Sequence, residues 1–217
     1  LVINLQRPEE LIAFSKMKKF RILGLIPKFF ILTGIILFAS QGLGSQEKKS
    51  KDDFQNLDQA LKIINFLEQV AAQKQQSGRF QGKTAQFLEQ EVSAFFTYLF
   101  SEQVSTFRAI ELKFFPGNKV EGRVLLDLSA QALPAYFKPE LNLYFAARIE
   151  ISGRKVRLNY SSLYLETQRI QPEIIDSLIS LVAKSQGLES RSLESWYELP
   201  EGVENLETGQ GRLIVHY

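Results

Sequence analysis

The residues from Phe107 to Thr167 leave a chain of this kind few folds to choose from, because read two at a time they give four consecutive strand candidates, each with one apolar and one polar face. The third is the cleanest. Leu141, Leu143, Phe145, Ala147, Ile149 and Ile151 alternate with Glu140, Asn142, Tyr144, Arg148 and Glu150, and only Ala146 departs from the pattern. The second sets Val120, Val124, Leu126 and Leu128 against Lys119, Glu121, Arg123 and Asp127. Strands of this kind cover one face of an antiparallel sheet and wet the other. The first strand carries Ile110, Leu112 and Phe114. Phe115-Pro116-Gly117-Asn118 then places Pro and Gly where a type II turn needs them, which predicts a hairpin. Ser152-Gly153-Arg154 predicts a tight second connection. In the fourth strand the apolar phase moves from Val156, Leu158 and Tyr160 to Leu163 and Leu165. One extra residue at Ser161-Ser162 produces that shift, so a β-bulge that bends the sheet is expected there.

Helical periodicity flanks this stretch. Phe54, Leu57, Leu61, Ile64, Leu67 and Val70-Ala71 recur at three and four, which predicts an amphipathic helix over 54–75 capped by Asp52 or Asp53. Its apolar stripe has two readings, a surface for a protein partner or a membrane, the latter disfavoured by a polar face of mixed sign, or a face packed on the domain itself. A second helix is expected over 88–103, with Leu88, Val92, Phe95-Phe96 and Leu99-Phe100 on its apolar side and Glu89 and Glu91 in its dipole-favoured first turn. A third, over 172–186, is marked by Pro172 at its start and Gly187 beyond its end, with Ile174-Ile175, Leu178-Ile179 and Leu181-Val182 along one face. Arg79 to Gln86 is expected to form a short edge strand, and Val203–Glu207 with Arg212–Tyr217 a closing hairpin. The fold class is therefore α+β: a curved antiparallel sheet, meander plus C-terminal hairpin, packed on the helices 88–103 and 172–186 and preceded by the amphipathic helix.

The N-terminus carries the address. Lys18, Lys19, Arg21 and Lys28 precede the apolar run Phe29 to Ala39, and Gly42-Leu43-Gly44 follows with small side chains. This is the layout of a secretory signal peptide. The competing reading is an uncleaved anchor over residues 20–43, which the short apolar core disfavours. Met17 is the only methionine of the chain, so translation is expected to begin there rather than at Leu1. The domain organisation that follows is an extension and signal over 1–44, a charged linker over 45–53 and one α+β domain over 54–217. The expected location is the periplasm or cell envelope, with membrane contact through the leader or only in passing.

Charge and motif content then remove several function classes. Residues 1–44 hold six Lys/Arg and two Asp/Glu of the chain's 26 and 24, so the remainder has twenty basic and twenty-two acidic side chains and no clustered cations for nucleic acid. There is no Cys, which excludes a thiolate nucleophile and a cysteine-ligated metal. His216 is the only histidine, beside the C-terminus on the outward face of its predicted strand, where a general base is not expected. No nucleophile elbow, zinc-protease, phosphate-loop or dinucleotide motif is present, so no catalytic, cofactor or metal residue is assigned. A carboxylate pair assembled by the fold stays open.

Three segments carry a resemblance. Phe87-Leu88-Glu89-Gln90-Glu91-Val92-Ser93-Ala94-Phe95-Phe96, the stretch from Gly153-Arg154-Lys155-Val156-Arg157-Leu158 to Arg169-Ile170-Gln171-Pro172-Glu173-Ile174-Ile175, and Leu199-Pro200-Glu201-Gly202-Val203 followed by Gly211-Arg212-Leu213-Ile214-Val215 are similar in order to segments of exported bacterial proteins. Over residues 80–217 the layout resembles the LmeA-like phospholipid-binding proteins and half of a TULIP-type lipid-binding module. That resemblance implies a curved sheet wrapped on helices that handles an apolar ligand in the envelope. With the heavy aromatic load of residues 87–100, it makes Phe95, Phe96, Leu99, Phe100, Phe145, Leu178, Ile179 and Val182 the candidate walls of a pocket for a lipid or other hydrophobic molecule. The alternative is an envelope interaction protein that engages a partner through helix 54–75 or the acidic segment 188–207.

Overall fold

The computed structural model describes residues 51–77, 82–101, 107–127, 129, 140–177 and 192–217. In chain order its elements are α1 (Lys51–Ser77), β1 (Thr84–Leu88), α2 (Glu89–Ser101), β2 (Phe107–Phe115), β3 (Lys119–Asp127), β4 (Glu140–Ser152), β5 (Lys155–Leu165), β6 (Gln168–Arg169), a helical segment at 172–177, β7 (Tyr197–Glu198), β8 (Asn205–Gly209) and β9 (Arg212–His216). The period-two stretch forms the antiparallel meander β2-β3-β4-β5-β6, with β7 beside the far end of β5. Its phase is the expected one. Val120, Val124, Leu126, Leu143, Phe145, Ala147 and Ile149 are buried, while Tyr144 and Arg148 are exposed.

The connections and irregularities follow local chemistry. Gly117 has φ +81, as the third position of a type II turn requires, and Asn118 is also left-handed. Gly153 alone of the two residues between Ser152 and Lys155 has positive φ, the signature of a type II′ hairpin. Ala146 pairs with Ser162 and Ala147 with Tyr160, so Ser161 is the inserted residue of a bulge, and its hydroxyl donates to the Ala146 carbonyl at 3.0 Å. A second bulge at Arg108 separates the pairs Phe107–Leu126 and Ala109–Leu125. The sheet curls into a half-barrel.

Three expectations need correction. The closing hairpin β8-β9 does not join the meander; β9 pairs with β1 from Thr84–His216 to Leu88–Arg212, which makes a separate three-stranded sheet in the order β1-β9-β8. The reason lies at the meander's edges. Along β2 the N–H groups of Phe114, Leu112 and Ile110 donate to Glu89 Oε2 (3.4 Å), Ser93 Oγ (2.9 Å) and Thr97 Oγ1 (3.1 Å) of α2. One helix step of four residues rises about 6.0 Å and one strand step of two about 6.8 Å, so acceptors at i, i+4 and i+8 keep register with alternate N–H groups of an antiparallel edge. On the far side of the meander, β5 is flanked by β6 and β7. The hairpin touches β2 only at its end, where the Gly211 N–H donates to the Phe114 carbonyl at 3.0 Å.

The second correction concerns the strand-to-helix passage. Helical periodicity puts Leu88 on the apolar face of the second helix, yet it ends β1 and is 56% exposed, and α2 begins at Glu89. Glu91, three residues on, accepts the Leu88 N–H through Oε2 at 2.9 Å, the returning half of a capping box. The third correction is that α1 begins at Lys51, which takes the end of the expected linker into the helix and puts Asp52 and Asp53 inside its first turn. Helix α1 packs on α2, and α2 packs on β2. Ala60, Ile63, Ile64, Val70 and Ala71 of α1 are buried, so its apolar stripe faces the domain. Of the third predicted helix, 172–177 is helical and 178–186 lies outside the described residues, as do the leader over 1–44 and the linker before Lys51. Among the described residues no helix is long and apolar enough to cross a membrane.

Candidate functional site

Between the helix pair, the inner face of the meander and the three-stranded sheet lies a cavity of about 170 Å³. Phe95, Phe96, Leu99 and Phe100 reach it from α2 and Phe145 from β4, so five of the eight sequence candidates line one space. The other three, Leu178, Ile179 and Val182, lie outside the described residues. The α2 residues share a side because they recur at one, three and four along the helix. The Phe96 ring lies 5.1 Å from Phe95 and stacks on Phe100 at 6.0 Å, while Phe100 meets Phe107 edge-on at 5.5 Å.

The position of Phe145 depends on a neighbour with no side chain. Gly122 is its partner across the β3–β4 ladder, and a Cβ built there would stand 2.3 Å from two carbons of the Phe145 ring. The ring leans over β3 instead of standing up into the interior. Tyr160 meets the ring edge-on at 5.8 Å. The lining also includes Ile63, Phe66 and Leu67 of α1, Phe87 of β1, Leu206 of β8 and Leu213 and Val215 of β9. None of these residues is among the eight sequence candidates. The apolar stripe read for helix 54–75 includes Leu67 but not Ile63 or Phe66, Phe87 and Leu206 have no face assigned by periodicity, and nothing local tells a helix or hairpin which interior it faces.

Few polar atoms meet the cavity. Tyr197 donates its hydroxyl to the Ser192 carbonyl at 3.2 Å. Arg157 contributes to the wall, yet by strand alternation its side chain leaves through the opposite face, where Nε donates to Glu150 at 2.7 Å and the guanidinium lies 4.7 Å from the Trp196 ring centre. Tyr160 lines the cavity, and burial, reinforced by Tyr197, Glu194 and Asp176, pushes its phenol well above the usual range.

The two acidic residues at the start of α2 take up structural contacts. Glu91 is buried and also accepts from Lys62 of α1 at 2.5 Å, which ties the two helices together, and Glu89 serves the β2 edge. His216 is partly buried, with Nε2 3.4 Å from Glu207. Among the described residues no group of three or more His, Asp or Glu is placed to hold a metal ion. The geometry defines an α+β protein in which two packed helices and two antiparallel sheets surround an apolar cavity. Comparison with protein-family models, with curated proteins and with solved structures gives no match.

Proposed function

We propose that this chain is a non-enzymatic binding protein of the cell envelope that holds a hydrophobic molecule in the cavity between its helices and sheets. The observation that supports the reading is the cavity itself, about 170 Å³ with an almost wholly apolar lining. Its size narrows the ligand. A dry apolar cavity of about 150 Å³ accommodates benzene, so the space here suits a ring-sized molecule or the last few carbons of an acyl chain. Burying about six methylenes at about 0.8 kcal/mol each gives roughly 5 kcal/mol, which corresponds to a Kd of about 0.2 mM before ordering costs. The envelope location rests on the signal-like leader of residues 18–44.

Protein purified without detergent should release a small hydrophobic compound on solvent extraction, or else take up a fluorescent apolar probe. Phe96→Arg should abolish both while urea unfolding stays cooperative. An empty extract together with no probe uptake by the wild type would move the protein to the other class, an envelope interaction module with no small ligand.

A further inference from the structure

We propose that Tyr160 is the polar contact of this cavity, its phenol hydroxyl donating a hydrogen bond to an oxygen of an uncharged, ring-sized apolar ligand. The inference rests on the cavity-binding reading above and adds to it the chemistry of the ligand. Tyr160 stands next to the Ser161 bulge, opposite Ala147, the smallest inward side chain of β4, so its ring has room to reach the interior. It packs against the core and against Phe145, yet retains accessible surface, and it lines the cavity. Its hydroxyl has no hydrogen-bond partner among the described residues, whereas the neighbouring Tyr197 hydroxyl is committed to Ser192. A hydroxyl on the wall of an apolar cavity, uncommitted to any neighbour, is free to donate to a ligand oxygen.

The surroundings select for a neutral ligand. Burial first, then Tyr197, Glu194 and Asp176, hold the phenol protonated, so it acts as a donor throughout the ordinary pH range. Those two carboxylates disfavour an anion nearby, and Asp176 is itself occupied by Ser192 at 2.6 Å and the Leu193 N–H at 2.7 Å. Arg157, a cation of the lining, is turned outward to Glu150 and Trp196. An apolar molecule with one carbonyl or hydroxyl oxygen meets these conditions. A carboxylate or phosphate does not.

Two probes of nearly equal shape separate the possibilities: acetophenone, which has a carbonyl oxygen, and α-methylstyrene, which has a methylene in its place. Titrated calorimetrically into the full chain and into Tyr160→Phe, acetophenone should lose about 2- to 10-fold in affinity, the span of one neutral hydrogen bond, and α-methylstyrene should be unchanged. Equal effects on both probes, or none on either, overturn the role of Tyr160 and leave the cavity-binding reading standing. Binding of neither probe to either protein overturns both. If Tyr160→Phe fails to unfold cooperatively, the wild-type near-ultraviolet difference spectrum decides. A tyrosine perturbation produced by the ketone and not by the alkene supports the hydrogen bond, and the same spectrum with both overturns it.

Discussion

Gly122 is a case where one missing methyl group shapes the interior. Its place is taken by the ring of Phe145, whose nearest carbons stand 2.3 Å from where a Cβ would be, in a sheet position that otherwise favours a side chain. Gly122→Ala must therefore push the ring away from β3 and toward the cavity. The expected cost is about 1–3 kcal/mol, the range for overpacking a close-fitted core, read as a shift in the urea midpoint, with reduced uptake of an apolar probe. A neutral result would mean that the ring relocates freely. Asp127 is informative in a different way. Hydrogen bonds from the hydroxyl and N–H of Ser129, and then the guanidinium of Arg108, hold its carboxyl at about 2, below the usual 3.8. A carboxylate whose pKa is lowered by folding contributes stability that is complete above about pH 4 and is lost as the pH falls through about 2. Denaturation midpoints between pH 5 and pH 2 should decline less in Asp127→Asn than in the wild type.

Helix α2 acts as more than an apolar lid on the meander. Its side chains at Glu89, Ser93 and Thr97 take the place of a further strand for three alternate N–H groups of β2. Ser93 is the central contact: its hydroxyl donates to the Glu89 carbonyl at 2.7 Å and accepts the Leu112 N–H at 2.9 Å. Ser93→Ala leaves that N–H without a partner in a part-buried position, at a cost of about 1–3 kcal/mol. Hydrogen exchange should show the Leu112 amide losing more protection than its neighbours in β2. Uniform loss along the strand would show that the contact is incidental.

Across the whole molecule, α1 completes the interior. Ile63 and Ile64 belong to the same core cluster as Phe95, Val124 and Phe145, and Lys62 bridges to Glu91 of α2. An appended partner-binding helix could be cut away at little cost. Here a chain that begins after residue 77 should lose its cooperative unfolding transition, since it exposes the α2 face and opens one side of the cavity. A two-state transition of undiminished midpoint in that truncated chain would show that the domain stands without α1.

The local features of the fold were legible in the sequence because they depend on near neighbours. Alternation assigns each strand residue a face, the phase shift after Tyr160 requires an extra residue, and the Pro-Gly and Gly turns require positive φ, so the meander, its bulge at Ser161 and the inward aromatic face of α2 could all be read directly. Pairing across long stretches of chain could not. The hairpin β8-β9 has the same alternation whether it joins the meander or pairs with β1, and what excludes the meander is a row of α2 acceptors on β2 that exists only once the helix has docked. The stripe of α1 is equally silent about what covers it. The cavity is the product of several such choices together: the lean of Phe145 over Gly122, the side on which α1 lies, and the separate sheet that closes the third wall. Periodicity states which way a residue faces, and only the packed structure states what it meets there.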